Sequence, residues 1–477
     1  MDLLAPLKWL LPGMRIKRWF FLSMLGVVTF ATGLMLLTAN KPAVVLELAL
    51  IESIRSWTGW RPPGPLVDCF LMVVGLAIML WSRYRWFLSV YHAAVPHQQK
   101  RLVELLYERR QLGHGLKIVA MGGGTGLSTL LRGLKSHTSN LVAIVTVSDD
   151  GGSSGRLSKE LGMLPPGDLR NCLVAMADDE SLLSELFQYR FRDGQGLEGH
   201  SFGNLFLAAL TEISGDFELA LKRASQILAP RGRVLPATLT PVTLYARLKD
   251  GRCVRGESDI PKAHGAISEV YLEPRRCQPP AEVLKVIAEA DLIILGPGSL
   301  YTSVIPNLLV EGVAEAVRSC PAPKIYVCNV MTQPGETDGY SAADHLEAIH
   351  RHVGGSLVNY AVVNVAPPNR LLSKYEKEGA YPVKPDLKRV RELGIEPIPA
   401  NLMNEDSLVR HDPVSLAETV LEVMAGHRSS GEMPAAPPAS SASRRSPQEP
   451  GRDGDPKPKK SRPAKSSTSR KRPSPIE

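Results

Sequence analysis

Residues 116–136 read LKIVAMGGGTGLSTLLRGLKS. The first six form an apolar, β-branched run, the next five are Gly122, Gly123, Gly124, Thr125 and Gly126, and the rest place Leu127, Leu130, Leu131 and Leu134 on one helical face. A strand that feeds a helix through glycine brings backbone N–H groups and the positive end of a helix dipole to one point, where a phosphate can be held. Glycine suits that turn because a Cβ would block close approach. The run is neither G-x-x-x-x-G-K-[ST] nor a complete G-x-G-x-x-G, and no P-loop lysine follows, so a Walker-type kinase or ATPase is disfavoured. A tight βα turn without a ligand is the plainer reading.

The same unit recurs outward from this stretch. Leu141 to Val147 (LVAIVTV) leads into SDDGGSSGRL, Asp291 to Leu295 into GPGSLYTSV, Lys324 to Asn329 into VMTQPGET, and Leu357 to Asn364 into APPNR. Repeated strand–loop–helix units predict an α/β fold: a Rossmann-like, doubly wound, mostly parallel sheet with ligand loops at the carboxyl ends of its strands. Residues 215–280, with the strand-like runs TPVTLYARL and AISEVYL, are expected to form a second lobe.

Several loops could carry chemistry. Asp149 and Asp150, adjacent at a strand end, could meet a ribose hydroxyl, a sugar or Mg²⁺, or could simply be solvated. Asp168 and Asn171 lie in PPGDLRN ahead of an apolar helix, which Asp168 could cap. His200 and Asn204 are four apart, on one face if their helix begins early. Gly298 and Ser299 sit in a second glycine turn that lacks a nucleophile elbow's G-x-S-x-G, so acyl transfer by Ser299 is not expected. Tyr375 could stack on a base and Arg410 could pair with a phosphate. Candidate metal ligands are Asp149, Asp150 and Asp168. Six scattered cysteines without a C-x-x-C pair argue against a disulfide scaffold and a zinc site and for a reducing compartment, and haem is not expected either.

Charge partitions sharply. The chain of 477 residues carries a formal +8, yet residues 1–110 and 428–477 each hold +7 and residues 111–427 hold −6. Nucleic acid is therefore not expected as a partner of the folded body. The 21 residues from Trp19 to Ala39 contain no charge and are long enough to cross a hydrocarbon core, and residues 66–82 form a second apolar run after a short loop. A signal peptide would also begin with basic residues, but the first run is long for one and lacks a small-x-small cleavage site. Basic residues on both outer flanks predict a multi-pass inner-membrane protein with the loop outside and the main domain in the cytoplasm. Residues 1–95 are thus read as the membrane region and 96–113 as a connecting helix. The main domain is expected over 114–427, with residues 428–477 a disordered basic tail, either solvated or touching anionic lipid or nucleic acid.

The succession MGGGTGLSTLLRGLK, TVSDDGGSSGRL, PPGDLRNCLVAMA, HSFGNLFLAAL, GPGSLYTSVIPNLL and RHDP resembles the CofD-like superfamily, specifically the YvcK branch of gluconeogenesis factors. The resemblance covers roughly residues 114–426 and implies a fold like that of 2-phospholactate transferase, binding a UDP-sugar such as UDP-N-acetylglucosamine. It also implies a role in carbon-source adaptation and cell-envelope morphogenesis, hence cell shape. It lays the Gly122 to Gly126 turn against the diphosphate with Asn204 nearby, and Tyr375 and Arg410 at the uridine end. Two functions follow from it: a membrane-tethered binder without turnover, or a Mg²⁺-dependent transferase moving a phospho-group from a nucleotide diphosphate donor. Expected partners are the nucleotide sugar, the membrane, a second copy of the chain and a regulated protein that the sequence does not name.

Overall fold

The structure, a computed structural model, describes residues 17–38, 41–94, 111–177, 182–405 and 408–427. The chain divides into two compact units, Met1–Gly113 and His114–Glu477.

The first unit holds helices α1 (Lys17–Leu37), α2 (Lys41–Thr58) and α3 (Gly64–Ala94). Arg18–Leu37 and Gly64–Ser89 are long and apolar enough to cross a membrane. Helices α1 and α3 run antiparallel: Trp19 meets Trp81 edge-on with ring centroids 5.6 Å apart, while Gly33 lies against the Asp68 backbone. Glycine permits this contact, since a Cβ on Gly26 would stand 2.8 Å from the Gly75 carbonyl oxygen. Arg18 and Arg85 flank the Trp19 ring at 4.8 and 5.0 Å. Two expectations change here. The second apolar helix runs well past residue 82, and the expected short loop is instead the 18-residue α2. The expected connecting helix 96–113 lies almost wholly outside the described residues, and the tail 428–477 lies entirely outside them.

The second unit begins with β1 (Ile118–Gly122), α4 (Gly124–Leu134), β2 (Leu141–Val145), α5 (Gly152–Leu161), α6 (Gly167–Met176) and α7 (Leu182–Gln188). Next come α8 (Phe202–Ser214), α9 (Phe217–Leu228), β3 (Arg233–Pro236), β4 (Thr243–Leu248), β5 (Cys253–Arg255) and β6 (Ile267–Glu273). They are followed by α10 (Ala281–Ala288), β7 (Leu292–Leu295), a π-turn (Leu300–Val304), α11 (Ile305–Leu309), α12 (Val313–Ser319), β8 (Lys324–Val327) and α13 (Ala342–Val353). The unit ends with β9 (Tyr360–Asn364), α14 (Leu372–Lys377), α15 (Leu387–Glu392), β10 (Glu396–Ala400), the short pair β11 (Met403–Asn404) and β12 (Arg410–His411), and α16 (Pro413–His427).

Seven strands form one sheet in the order β10-β9-β8-β7-β1-β2-β3, every neighbouring pair parallel. The chain winds outward one way through β1, β2 and β3, then returns to the centre and winds the other way from β7. That reversal puts a crevice between β1 and β7 at their carboxyl ends, the usual ligand position in such sheets. Successive residues point to opposite faces, so Val119, Met121, Ile293 and Leu295 enter one core while Ile118, Ala120, Leu292 and Ile294 enter the other. Both faces are covered, which is why the strands read as continuous apolar runs.

The expected lobe at 215–280 is smaller than anticipated. Helix α9 and strand β3 belong to the main layers, and only the antiparallel trio β5-β4-β6 stands apart as a sheet. Strands β3 and β10 escaped the sequence reading because they are short edge strands carrying proline: Pro236, and Pro397 with Pro399.

Helices α4 and α16 touch at Gly133, where an added Cβ would collide with the Pro413 carbonyl. Gly133→Ala should therefore lower stability by about 1–3 kcal/mol despite alanine's better helix propensity. A thermal or urea melt showing Gly133→Ala as stable as the parent would refute this contact.

Candidate functional site

Two glycine turns meet at the crevice. An added Cβ on Gly126 would lie 2.7 Å from the Pro297 carbonyl oxygen, and one on Gly298 would lie 3.2 Å from the Gly123 carbonyl oxygen. Asn307, fully buried on α11, donates to the Gly122 carbonyl (3.0 Å) and the Ser303 carbonyl (2.7 Å), so it ties the π-turn beneath the first glycine turn. Asn329 donates to the Gly298 carbonyl at 2.8 Å and accepts from the Gly298 N–H at 3.3 Å, clamping the second turn to the end of β8. The Gly298 N–H is thus already engaged. Helix α4 begins inside the glycine run, one turn earlier than its leucines suggest, with Gly123 as N-cap and no side-chain cap. Thr125 is exposed at its mouth.

Asp168 does not cap its own helix: Pro166 holds that position. Its carboxylate instead accepts from the Gly124 N–H at the start of α4. Burial, then the neighbouring Asp149, push its pKa up to about 6, against the lowering effects of the Gly124 N–H and Arg170. Asp149 is raised too, mainly by burial, although the Gly151 N–H and Ser154 hold it back. Asp150 plays a different part. It accepts from the Ser258 N–H at 2.9 Å and leaves room only for a glycine at 256, so it anchors the loop after β5.

Two acids that the sequence reading passed over complete this region. Glu257 accepts from the Ser148 hydroxyl at 3.0 Å, and burial with the charges of Asp149 and Asp168 keeps its pKa well above the usual carboxylate range. Buried Glu336 accepts from the Ser299 hydroxyl, and burial raises its pKa to about 7. Ser299 also receives the Thr302 hydroxyl (2.8 Å) and the Thr302 N–H (3.2 Å), so it caps the π-turn rather than standing free as a nucleophile. The available signal was the Gly-Glu pair at 256–257 and again at 335–336, each glycine at positive φ (+96° and +78°).

His200 and Asn204 do come together, though not on one helical face. Helix α8 starts at Phe202, so His200 precedes the N-cap Ser201; the two side chains instead share Ser153, at 3.0 and 3.1 Å. The Asn204 Oδ1 is buried with no partner among the described residues. Asn171 accepts from the Arg170 guanidinium at 2.8 Å, and that guanidinium also donates to the Phe187 carbonyl, so both serve the packing of α6. At the far side of the crevice the Tyr375 hydroxyl accepts from the Val409 N–H at 3.1 Å, which sets Tyr375 beside exposed Arg410. As for Mg²⁺, Asp150 is committed to Ser258, and among the described residues no group of three or more His, Cys, Asp or Glu could hold a metal ion. A metal cage built from protein ligands alone does not fit these residues.

A seven-stranded parallel sheet with glycine turns at its switch point defines a Rossmann-like α/β domain, and the family model described as 2-phospho-L-lactate transferase CofD matches residues 118–403. The chain belongs to the CofD family. It is 49% identical over 428 residues to a protein of Nostoc sp. named "Putative gluconeogenesis factor", covering 88% of this chain and 92% of that one. A match of that length cannot fit within His114–Glu477 and must take in part of the N-terminal unit. It is also 49% identical over 315 residues to the gluconeogenesis factor of Bacillus subtilis, covering 66% of this chain and 99% of that one. The crystal structure of a UPF0052-family protein from Bacillus halodurans superposes with a TM-score of 0.62 at 49% identity, over 64% of this chain and 99% of that one.

Because the Asp168 pKa is raised on folding, the folded state binds more protons than the unfolded state between about pH 4 and 6, and stability falls as pH rises through that window. An asparagine amide can still accept from the Gly124 N–H without the charge. Asp168→Asn should therefore flatten this slope and raise stability above pH 7 by roughly 1–3 kcal/mol. Melting curves from pH 4.5 to 8 check it, and a variant with an unchanged slope would contradict the assignment.

Proposed function

We propose that this protein is a membrane-tethered, nucleotide-sugar-binding regulator of the gluconeogenesis-factor type, taking a UDP-N-acetylglucosamine-like ligand. Its role would lie in carbon-source adaptation and cell-envelope morphogenesis. The observation that carries this reading is the meeting of two glycine turns at the β1/β7 switch point, beside the start of α4, where Gly123 brings no capping side chain and Asp168 takes up the Gly124 N–H. A diphosphate there would be held by backbone N–H groups and the helix dipole. Tyr375 on α14 and Arg410 on β12, neighbours through the Val409 N–H that the Tyr375 hydroxyl accepts, would offer a ring for a base and a cation for a phosphate or uracil oxygen. The Ser299 hydroxyl is held by Glu336 and Thr302, so it does not stand as a free nucleophile.

A second reading, a Mg²⁺-dependent transfer of a phospho-group from a nucleotide diphosphate donor, is favoured by the acids beside the turn and by the description of the matching family model. With donor phosphates supplying most ligands, Mg²⁺ needs only one or two carboxylates, and Asp149 and Asp168, each held only by neighbouring N–H or hydroxyl donors, are the candidates. Consumption of the donor by the purified chain separates the two readings.

The first reading predicts saturable calorimetric binding of UDP-N-acetylglucosamine to the detergent-solubilised chain, weakened roughly tenfold or more by Tyr375→Ala or Arg410→Ala. Absence of saturable binding, or two variants that bind as the parent does, would sink it. For the tether, the basic flanks predict a cytoplasmic body. Protease applied to spheroplasts should spare residues 114–427 and cleave them in inverted vesicles; the reverse pattern would overturn the topology.

A further inference from the structure

The sheet order arranges the site in space as well as in sequence. The glycine turns lie at β1 and β7, in the middle; Tyr375 and Arg410 belong to the β8–β9 side. On the other flank, over β2, a cleft of about 400 Å³ opens between the loop after β2, helix α5 and the small sheet. That volume is within the range of about 300–1,000 Å³ usual for small-molecule sites. Neighbouring strands are spaced by about 4.8 Å, so β8 to β2 spans roughly 14 Å, a distance suited to one extended molecule laid across the strand ends.

The cleft is continuous with the turn through side chains. The Gly124 N–H holds Asp168, the charge of Asp149 adds to burial in raising the Asp168 pKa, and Asp149 lines the cleft. Its walls combine apolar surface from Pro165 and Pro241 with acceptors from Asp149 and donors from Lys159 and Arg255. Carboxylates that accept from hydroxyls, cations that donate to carbonyl or ring oxygens, and flat apolar faces for C–H groups together suit a polyhydroxylated ring. A second phosphate fits poorly beside so many acids, and a base finds no aromatic ring in the lining.

We propose that this cleft is the subsite for the sugar end of the ligand, with Asp149, Lys159 and Arg255 as its polar contacts; this rests on the nucleotide-sugar reading above. The ligand then lies across the carboxyl ends of the strands with its base towards β8 and β9, its diphosphate over β1 and β7, and its sugar over β2.

Two probes, UDP and UDP-N-acetylglucosamine, titrated into the full chain in detergent, test the subsite. Ser158→Trp, on the α5 surface that lines the cleft, should fill it and reduce UDP-N-acetylglucosamine affinity about tenfold or more, to the level of UDP. UDP affinity should move less than about twofold. Arg255→Ala, at an exposed position of β5, should give a smaller loss with the same selectivity and guards against misfolding of the tryptophan variant. Equal loss for both probes, or no loss in either variant, overturns the subsite while leaving nucleotide binding in place. A parent chain that binds neither probe overturns the nucleotide reading and the subsite with it.

Discussion

The approach of two backbone turns at the centre of the sheet sets the terms for the rest of the body. Gly126 faces the Pro297 carbonyl at a distance no Cβ would allow, and Gly298, at positive φ, faces the Gly123 carbonyl with room for a Cβ only under strain. To bring the turns that close, β1 and β7 must be adjacent and parallel, and the chain must therefore leave β1 in one direction and return for β7 in the other. Two asparagine amides, Asn307 fully buried and Asn329 partly so, hold the contact. Asn307 and Asn329 bind carbonyls of the two turns, and an asparagine can do so while contributing no charge to an interior that would penalise one. The crevice is thus fixed before any ligand arrives, which reduces the ordering cost that binding would otherwise carry.

Around that contact the acids are arranged in a way that a net-charge count does not convey. Asp168, Glu257 and Glu336 come from three different elements and converge on the carboxyl edge of the sheet, each with a raised pKa. Two ionised groups about 5 Å apart would repel by roughly 3 kcal/mol at an effective dielectric near 20. Protonation relieves part of this, as do the N–H and hydroxyl donors of Gly124, Ser148 and Ser299. The carboxylate of Asp168 at the head of α4 occupies the position where an anion is electrostatically favoured.

Much of the architecture was legible in the sequence for a simple reason. Central strands buried on both faces are uninterrupted β-branched runs, and five of them could be read directly. The edge strands could not, because Pro236, Pro397 and Pro399 break the pattern at places where a missing N–H costs nothing. At the site, the glycine turns were legible through local conformation, whereas roles set by tertiary partners were not. Asp150 looks like a ligand residue in SDDGG but is committed to Ser258, more than a hundred residues away. Asp168 looks like the cap of the helix it begins and instead serves the start of α4. Glu257 and Glu336 gave only the weak signal of a glutamate after a left-handed glycine.

The distribution of charge also constrains how the two ends of the chain can contribute. The positive excess of +7 on each flank is separate from a body carrying −6, and Arg170, whose charge acts on Asp168, donates to the Phe187 carbonyl and Asn171. An anionic ligand at the crevice therefore meets few cations, and its charge must be met by fixed N–H dipoles that are already in place. Such dipoles are short-ranged and directional, so they respond to the geometry of a group placed among them more than to its charge. The positive excess lies in the two flanks, of which the N-terminal one also carries the two helices long and apolar enough to cross a membrane.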